Sequence, residues 1–359
     1  MITIAYYTFL GLLVLPALDY FLGLRVLPDV KTSEEKDLGS PVAGDGISAV
    51  IACHNEVNNI ERKVGEIADQ FSDAGVVNFE IIVVSDGSTD GSNKTLESLD
   101  AQGVIRYILV ENRSGKPNAL NIGIASSKFP LLLLSDVRQT FSKGAISALL
   151  SHLSDPQIGA VSSQLELEGN SSPARRWMNG LKLRESRKGS TTGMCGALYI
   201  MRKELVEHLP EDTILDDLLM SLFVMKNGKR VVLEPSAIVH DVSFDKFYSG
   251  RRQGRITAGL VQILTTHKML LTQIGLVQLI FLYGQKYLKY TAPVLFAIAS
   301  ILALFSDQIT TWHYSVTLVM ITVITITKPL FVAQALRLTL SYMAQLLKLD
   351  KYTKVKWER

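Results

Sequence analysis

The sequence predicts an α/β domain with a doubly wound, mostly parallel sheet, flanked by helices that cross a membrane. Two observations lead to this fold class. In residues 46–136, short apolar runs alternate with helical patterns, as they do in sheets whose strands are joined by helices. Long apolar stretches lie toward both ends of the chain, and the mean hydropathy of +0.22 with 20% charged residues is high for a soluble enzyme.

The N-terminal stretch, residues 2–24, is almost entirely apolar, and Asp19 is its one acidic residue. A helix of this length would span roughly 34 Å, which is enough to cross a bilayer. The start lacks basic residues and a small-residue cleavage pattern, so we interpret residues 1–27 as an uncleaved transmembrane anchor. The polar residues 28–45 contain proline and glycine and are predicted to be a linker.

The C-terminal third is apolar again. Residues 291–305 and 314–333 are predicted spans of a transmembrane region over 291–335. Residues 265–290 mix leucine and isoleucine with glutamine and lysine, which is typical of a helix lying in the membrane interface. Basic residues follow the first span and fill the tail, 336–359. They indicate an integral protein of the cell (inner) membrane whose central domain and tail are cytoplasmic, with the lipid bilayer as a partner.

Charge and cysteine content exclude some classes of protein. The net charge of +3 is too small to indicate binding to nucleic acid. The two cysteines, Cys53 and Cys195, are far apart and form neither a disulfide framework nor a zinc-binding pattern. A reducing compartment is therefore expected for the central domain.

The central domain, residues 46–264, contains the alternating elements. Its patterns predict strands over 47–52, 80–85, 105–110 and 131–134 and helices over 58–74, 95–101 and 116–126. In sheets of this kind, ligands bind beyond the carboxyl ends of the strands. Glu56, Asp86 and Asp136 each follow a strand end, so we expect three acids around one crevice. Taken singly, each has a structural explanation as a turn or a first helical turn.

A pair of adjacent acids, Asp216 and Asp217, opens the apolar run 218–225. The run predicts a helix with both carboxylates near its N-terminus, where free N–H groups and the helix dipole favour anions. A helix cap alone would explain the pair. The three strand-end acids make a catalytic role the better interpretation.

The motifs together resemble the family 2 glycosyltransferases with a GT-A fold. The matching segments come in the family's order: Ala52-Cys-His-Asn-Glu56, Val84-Ser-Asp-Gly-Ser-Thr-Asp90, Gly115-Lys-Pro-Asn-Ala-Leu-Asn121, Leu134-Ser-Asp-Val-Arg138 and Leu215-Asp-Asp217. The membrane-flanked layout also resembles the exopolysaccharide, hyaluronan and cellulose synthase branch. The resemblance implies an inverting glycosyltransferase that uses a nucleoside-diphosphate sugar, expected to be a UDP-sugar, at the cytoplasmic face to make a surface polysaccharide.

The resemblance also implies roles for the donor-side residues. Glu56 and Asp86 would bind the base and ribose, and Lys116 would offset phosphate charge. Asp136 would lie close to the ribose, the diphosphate and a divalent metal, Mg²⁺ or Mn²⁺. Asp217 would act as general base toward the acceptor hydroxyl.

Asp216 would assist Asp217 or orient the acceptor. Arg138 departs from the family pattern, because a carboxylate or amide at its position normally helps to hold the metal and a guanidinium cannot. Either Asp136 holds the metal with another group, such as His240, or Arg138 supplies part of the metal's charge. His240 also fits a structural histidine at a strand end.

Two basic residues after the domain, Arg252 and Arg255, are predicted to clamp the leaving diphosphate. Their spacing resembles the Gln-x-x-Arg-Trp motif of the processive synthases, although Arg252 stands in place of the glutamine and Ile256 in place of the tryptophan. This difference argues against processive synthesis. A basic juxtamembrane stretch that attracts anionic lipid is the alternative.

On the acceptor side, residues 190–200 resemble the family's Gly-x-x-Gly segment, with Gly193 and Gly196 letting the backbone approach the acceptor. Trp177 and Glu185 are candidate acceptor contacts, and Trp177 is equally suited to anchor at a membrane interface. The acceptor is expected to be a glycan or a lipid-linked glycan, with export or polymerisation proteins as partners.

Two other hypotheses remain at this point. The first is a polyprenyl-phosphate glycosyltransferase, whose phosphate acceptor needs no base, so that Asp217 would matter little. The second, suggested by Arg138, is a non-catalytic subunit that binds nucleotide or glycan in a synthase complex.

Overall fold

The computed structural model describes residues 20, 22–30, 46–167, 173–241, 246–288 and 302, which fall into two compact units. The described part of the larger unit is 28–30, 46–167, 173–241, 246 and 269–278. The described part of the smaller unit is 20, 22–27, 247–268, 279–288 and 302. The predicted domain end at residue 264 remains a prediction.

Eight strands within the described residues form one sheet, with the spatial order β3-β2-β1-β4-β7-β6-β8-β5. In chain order the strands are β1 (Ile47–Cys53), β2 (Phe79–Asp86), β3 (Arg106–Val110), β4 (Leu131–Ser135), β5 (Thr140–Phe141), β6 (Ile158–Leu167), β7 (Leu198–Arg202) and β8 (Arg230–Asp241).

The first four larger strands agree with the sequence prediction. β1 pairs in parallel with β2 and β4, and β2 pairs in parallel with β3. Three helices connect them: α1 (Ile60–Asp73), α2 (Ser92–Ala101) and α3 (Lys116–Ser126). Because these four strands are parallel, their carboxyl ends share one edge of the sheet, as expected.

The other half of the sheet differs from a doubly wound arrangement. β7 lies antiparallel between β4 and β6, β6 pairs in parallel with β8, and β5 is antiparallel to β8. The sheet is therefore mixed, and the prediction of a mostly parallel sheet holds only for its first half. Helices in this half are α4 (Ala145–Ser151), α5 (Pro173–Arg187) and α6 (Asp216–Lys226).

The two faces of the sheet bury different side chains. Because side chains alternate along a strand, Leu198 and Ile200 of β7 join the main apolar cluster while Tyr199 points to the opposite face. On that opposite face, Ile82 and Val84 pack against Ala119 of α3. The N-terminal end of α3, which begins at Lys116, therefore lies over the strand ends.

The smaller unit contains α7 (Lys246–Thr265) from its second residue onward, and helical turns near the N-terminal segment. Tyr20 makes an edge-to-face contact with Phe281, with ring centroids 6.0 Å apart. The Tyr287 hydroxyl donates a hydrogen bond of 2.9 Å to the Leu260 carbonyl. No helix among the described residues is both long and apolar enough to cross a membrane. The predicted spans lie almost wholly outside those residues.

The predicted interfacial helix, 265–290, is not one continuous helix. It contains α8 (Lys268–Leu271), α9 (Leu276–Leu282) and a π-helical turn, Tyr283–Tyr287, and its last two residues lie outside the described range. At the break the Thr272 hydroxyl donates to the Met269 carbonyl at 2.8 Å, and Gly275 precedes α9. Such side-chain bonds and glycine both weaken a helix.

Candidate active site

A cleft open to solvent, with about 460 Å³ of empty space, lies at the carboxyl ends of β1, β2 and β4. It is lined by Ala52, Cys53, His54, Asp86, Arg113, Gly115, Lys116, Asp136 and Val137. Two of the three acids that the sequence predicts for one crevice, Asp86 and Asp136, therefore line this cleft together with Lys116, whereas Glu56 is not among its lining residues.

The loops after β1 and β2 are joined by hydrogen bonds. Asn55 adopts a left-handed φ of 55°, which asparagine tolerates better than most residues. Its backbone N–H donates to Ser88 Oγ at 3.1 Å, and its side-chain oxygen accepts from the Thr89 N–H at 2.8 Å. Two further bonds complete the connection: Glu56 N to Ser92 Oγ at 2.9 Å and Val57 N to Asp90 Oδ2 at 3.0 Å. This wall of the cleft is thus fixed without a ligand.

Asp86 holds the next loop in place. Its Oδ1 accepts from Ser114 N–H at 2.6 Å and from the Ser114 hydroxyl at 2.8 Å, and its Oδ2 accepts from Gly115 N–H at 2.7 Å. Asp86 is 4% exposed, so these bonds satisfy a buried carboxylate. They position Lys116, the next residue. The predicted contact of Asp86 with a nucleotide remains a prediction.

His54 lies in the cleft, and its hydrogen bonds fix its tautomer. Nδ1 is 2.6 Å from the Asp86 carbonyl oxygen, which can only accept, so Nδ1 carries the proton. Nε2 is then the acceptor, and it faces the Asn55 amide at 3.3 Å. This histidine therefore ties the first strand end to the second.

Glu56 does not line the cleft and is 4% exposed. Its Oε2 accepts from Asn59 Nδ2 at 3.1 Å, and its Oε1 forms an ion pair with Arg138 Nε at 3.7 Å. The residue that departs from the family pattern thus has a carboxylate partner. Sequence reasoning identified both residues but not their contact, because they belong to different strand ends.

Two cations of α1 hold the backbone around Arg138. Arg62 Nη2 donates to the carbonyls of Val137 at 3.2 Å and Arg138 at 2.8 Å. Lys63 Nζ donates to the Gln139 carbonyl at 2.5 Å. Burial lowers the pKa of Lys63 to about 8, although the neighbouring carboxylate of its own helix opposes the shift.

Lys116 joins the two halves of the candidate site. Its Nζ lies 3.0 Å from Asp136 Oδ1 and 2.9 Å from Asp216 Oδ2. Burial alone would lower the pKa of Lys116, but the two carboxylates outweigh it and hold the pKa well above its usual value. Both α3 and α6 begin at this point, at Lys116 and Asp216, so two helix N-termini meet around the charges.

The acidic pair lies at the start of α6, as predicted. The cap position is occupied by Leu215, which makes no side-chain cap bond, so Asp216 is not the N-cap. Asp217 Oδ1 accepts from the Leu218 N–H at 2.8 Å. A Cβ placed on Gly196 would lie 3.4 Å from Asp217 Oδ2, so the glycine packs directly against this acid.

The predicted acceptor segment is tied to the same helix. The Ser221 hydroxyl donates to the Asp217 carbonyl at 2.7 Å and accepts from the Met194 N–H at 3.1 Å. Gly193 has φ +146°, a conformation that favours glycine. The segment around Gly193 and Gly196 therefore borders Asp217.

The other predicted acceptor contacts lie on α5. Glu185 is fully buried, and its Oε2 accepts from the N–H and the hydroxyl of Thr192, each at 3.3 Å. These bonds hold Thr192, the residue that precedes Gly193, in place. Trp177 is 57% exposed. A direct contact of either residue with an acceptor remains a prediction.

The diphosphate clamp and the second metal ligand are also untested. Arg252 and Arg255 lie on α7, in the smaller unit. His240, near the end of β8, is in register with Thr140 of β5 and Glu166 of β6. Neither observation bears on a diphosphate or a metal ion.

The described residues contain no group of three His, Cys, Asp or Glu side chains arranged as metal ligands. Of the two acids that line the cleft, Asp136 is the one better placed to ligate a metal ion. Its side chain is 35% exposed and its Oδ1 lies 3.0 Å from Lys116 Nζ, whereas both oxygens of the buried Asp86 accept backbone bonds. These residues fit a divalent ion that keeps one protein carboxylate and takes further ligands from a diphosphate.

Tyr199 of β7 is a site residue that sequence reasoning missed. It is 1% exposed, and its hydroxyl has no hydrogen-bond partner among the described residues. Burial and the nearby Asp216, Asp217 and Asp136 raise the pKa of Tyr199 well above its usual value, and Lys116 only partly offsets them. In sequence this tyrosine sits in an apolar strand and looks like a core residue.

Comparison with known proteins agrees with this arrangement. A model of the family described as Glycosyl transferase family 2 matches residues 48–209. The poly-beta-1,6-N-acetyl-D-glucosamine synthase of Staphylococcus aureus (strain MSSA476) is 23% identical over 209 residues, covering 54% of this chain and 49% of the relative. The synthase of the same name from Staphylococcus epidermidis is 21% identical over 207 residues with the same coverage. This chain spans about half the length of the curated relatives it matches.

Among solved structures, a mannosyltransferase from Pyrobaculum calidifontis in complex with GDP-Man and Mn²⁺ is similar to this chain. The similarity covers 98% of this chain and 100% of the mannosyltransferase, with a TM-score of 0.72 and 18% identity, which shows a shared fold. Together with the mixed sheet and the strand-end cleft, these matches show that residues 48–209 are similar to the family 2 glycosyltransferases and that the fold is GT-A-like.

Proposed function

We propose that this chain is an inverting glycosyltransferase that moves a sugar from a nucleoside-diphosphate sugar to a glycan or lipid-linked acceptor at the cytoplasmic membrane face. The observation that carries the proposal is the position of Lys116, 3.0 Å from Asp136 and 2.9 Å from Asp216. It brings the end of β4, where the donor would bind, together with the start of α6, where the candidate base lies.

The chemistry follows from these positions. Lys116 and the N-terminus of α3 favour the negative charge of a diphosphate leaving group. Asp217, bordered by Gly196, would take the proton from an acceptor hydroxyl as that oxygen attacks the anomeric carbon from the face opposite the leaving group. The new bond forms as the bond to the diphosphate breaks, so the anomeric configuration inverts.

A divalent ion would bind Asp136 and the donor's diphosphate, and it would supply positive charge to the departing group. Titration with Mn²⁺ and with EDTA tests this role. Loss of turnover in EDTA and recovery with Mn²⁺ are expected. Full activity in EDTA would contradict the metal role of Asp136, and charge from Lys116 and Arg138 would then have to suffice.

The donor is tested by a screen on the purified full chain in detergent. UDP-sugars come first, in line with surface polysaccharide synthesis, and GDP-mannose is included because the mannosyltransferase was solved with GDP-Man. Release of UDP or GDP that depends on an acceptor supports the proposal. Absence of release with every donor and acceptor would favour a non-catalytic subunit.

The acceptor panel distinguishes the remaining alternative. It contains short glycans, a lipid-linked glycan and a polyprenyl phosphate. Transfer to a glycan hydroxyl is expected, and it should depend on Asp217. Transfer to polyprenyl phosphate alone, with little dependence on Asp217, would show that the chain makes a lipid-linked sugar donor instead.

A further inference from the structure

The Tyr199 hydroxyl occupies an unusual position for a core side chain. It is buried, it has no hydrogen-bond partner among the described residues, and the charges of Asp216, Lys116, Asp217 and Asp136 act on it. Leaving a buried hydroxyl unpaired is unfavourable by roughly 1–3 kcal/mol. Phenylalanine would fill the same space without this penalty. A hydroxyl here is explained if it acquires a partner in another state of the site.

The surroundings limit which partner that is. Tyr199 is in register with Leu134 of β4 and Ser162 of β6, so it lies on a central strand of the sheet, on the face opposite the main apolar cluster. Its 1% exposure leaves a substrate no access to the hydroxyl. The partner must therefore be a protein group that moves or loses another contact. Asp216 is the group whose charge affects Tyr199 most strongly.

Asp216 stands to lose a contact when a donor binds. Lys116 contacts the two carboxylates with an ammonium group that has three N–H donors, so a diphosphate that draws this group toward itself would lengthen and weaken those contacts. Asp136 has a 35% exposed side chain and can turn to water or a metal ion. Asp216, with a 12% exposed side chain, would remain as a buried carboxylate without its cation, which is strongly unfavourable.

We propose that Tyr199 is a positioning residue for the acidic pair: its hydroxyl donates a hydrogen bond to Asp216 when Lys116 engages the donor's diphosphate. The bond would compensate Asp216 for the lost ion pair and keep the first turn of α6, which carries Asp217, in place for transfer. This inference rests on the proposed function.

The test is the substitution Tyr199→Phe in the full chain. Because only an unpaired hydroxyl is removed, we expect the thermal midpoint of the ligand-free protein to stay the same or rise. The donor KM should stay within about twofold, while kcat falls about 10- to 100-fold, the range expected for a hydrogen bond to a charged group. A loss confined to kcat is not expected from a purely structural residue.

Tyr107→Phe is the matched control. The Tyr107 hydroxyl is also buried without a partner among the described residues. Tyr107 belongs to β3, which pairs with β2, and it is not among the residues that line the cleft. We expect this variant to keep the wild-type kcat and donor KM.

Four results would overturn the inference. For Tyr199→Phe, these are a kcat within about threefold of wild type, a higher donor KM with unchanged kcat, or a fall in thermal midpoint that accompanies the loss of activity. The fourth is an equal loss of kcat in Tyr107→Phe. Wild-type protein that releases no nucleotide would instead refute the proposed function, and the role of Tyr199 would fall with it.

Discussion

The two sides of the cleft are held together in different ways. The hydrogen-bonded wall, residues 53–59 and 86–92, is joined by short bonds between side chains and backbone N–H groups. The charge cluster, Lys116, Asp136 and Asp216, is held by two ion pairs that share one ammonium group. The wall is complete without a ligand, whereas the cluster can exchange partners.

This difference indicates that the wall contributes mainly to stability and the cluster mainly to turnover. Bonds from serine, asparagine and aspartate to nearby backbone fix a loop with little loss of side-chain freedom. A lysine has a long, flexible stem and a single charged group that changes partners readily. We therefore expect changes in the wall to reduce stability more than turnover, and changes in the cluster to reduce turnover by orders of magnitude.

The largest effect is expected next to the cluster, in Asp217→Asn. Asparagine keeps the shape of the side chain but cannot accept the acceptor's proton, so turnover should fall about 10²–10⁴-fold. Donor binding should change only a few-fold. Asp212→Asn, at an exposed acid of the same segment, is the control. Near-normal turnover in Asp217→Asn would show that the base has been assigned incorrectly.

Lys116→Met tests the cluster itself. Loss of the ammonium group removes a charge-assisted contact to the diphosphate, and we expect donor affinity to fall about 10- to 100-fold in a titration with UDP or GDP. Lys128→Met is the control, since that lysine has a 70% exposed side chain and pairs with Glu80 outside the cleft. Equal affinity in both variants would mean that the cluster does not bind the donor.

The wall and the cluster also differ in how far sequence predicts them. The apolar strands and their terminal acids are local patterns, so the positions of Asp86 and Asp136 at one sheet edge followed from the order of elements. Helix α3 begins at Lys116, where the sequence predicts it. Proline at its first turn is a local signal for that start.

The contact between Lys116 and Asp216 had no local signal. The contact requires the N-termini of α3 and α6 to lie side by side. Their positions depend on β7, which lies antiparallel between β4 and β6. Nothing in the sequence of β7 distinguishes antiparallel from parallel pairing, because both bury an apolar run. Tyr199 was missed for the same reason, since its charged neighbours come from three distant segments.

Ser92→Ala tests the wall. The Ser92 hydroxyl accepts from Glu56 N–H and donates to Asp90 Oδ1 at 2.6 Å, and the residue is fully buried. Its removal leaves a buried N–H unpaired, so we expect a loss of about 2 kcal/mol in the free energy of unfolding, measured by chemical denaturation. Turnover should stay within about threefold of wild type. Ser98→Ala, at an exposed serine of the same helix, is the control.

A larger loss of turnover than of stability in Ser92→Ala would remove the distinction between the two sides. It would mean that the wall, like the cluster, takes part in the reaction through its exact geometry. The loop that carries Glu56 would then belong with the residues that determine turnover.

The smallest effect is expected from Lys63, which supports the loop around Arg138 through the Gln139 carbonyl and lies 3.5 Å from the centre of the Phe141 ring. Its pKa of about 8 is lower than the usual 10.5, so the folded protein releases this proton before the unfolded chain does. Between these pH values unfolding takes up a proton, and raising the pH therefore favours the folded state. The unfavourable burial of charge is fully present below pH 8.

We expect the free energy of unfolding of the wild type to gain about 1 kcal/mol relative to Lys63→Met between pH 7 and pH 9. Lys143→Met, at an exposed lysine, should follow the wild type. Parallel curves for the wild type and Lys63→Met would show that Lys63 keeps its proton. In that case the bonds from Lys63 to Glu66 and Gln139 outweigh its burial, and the loop around Arg138 is held by charge, as the cluster is.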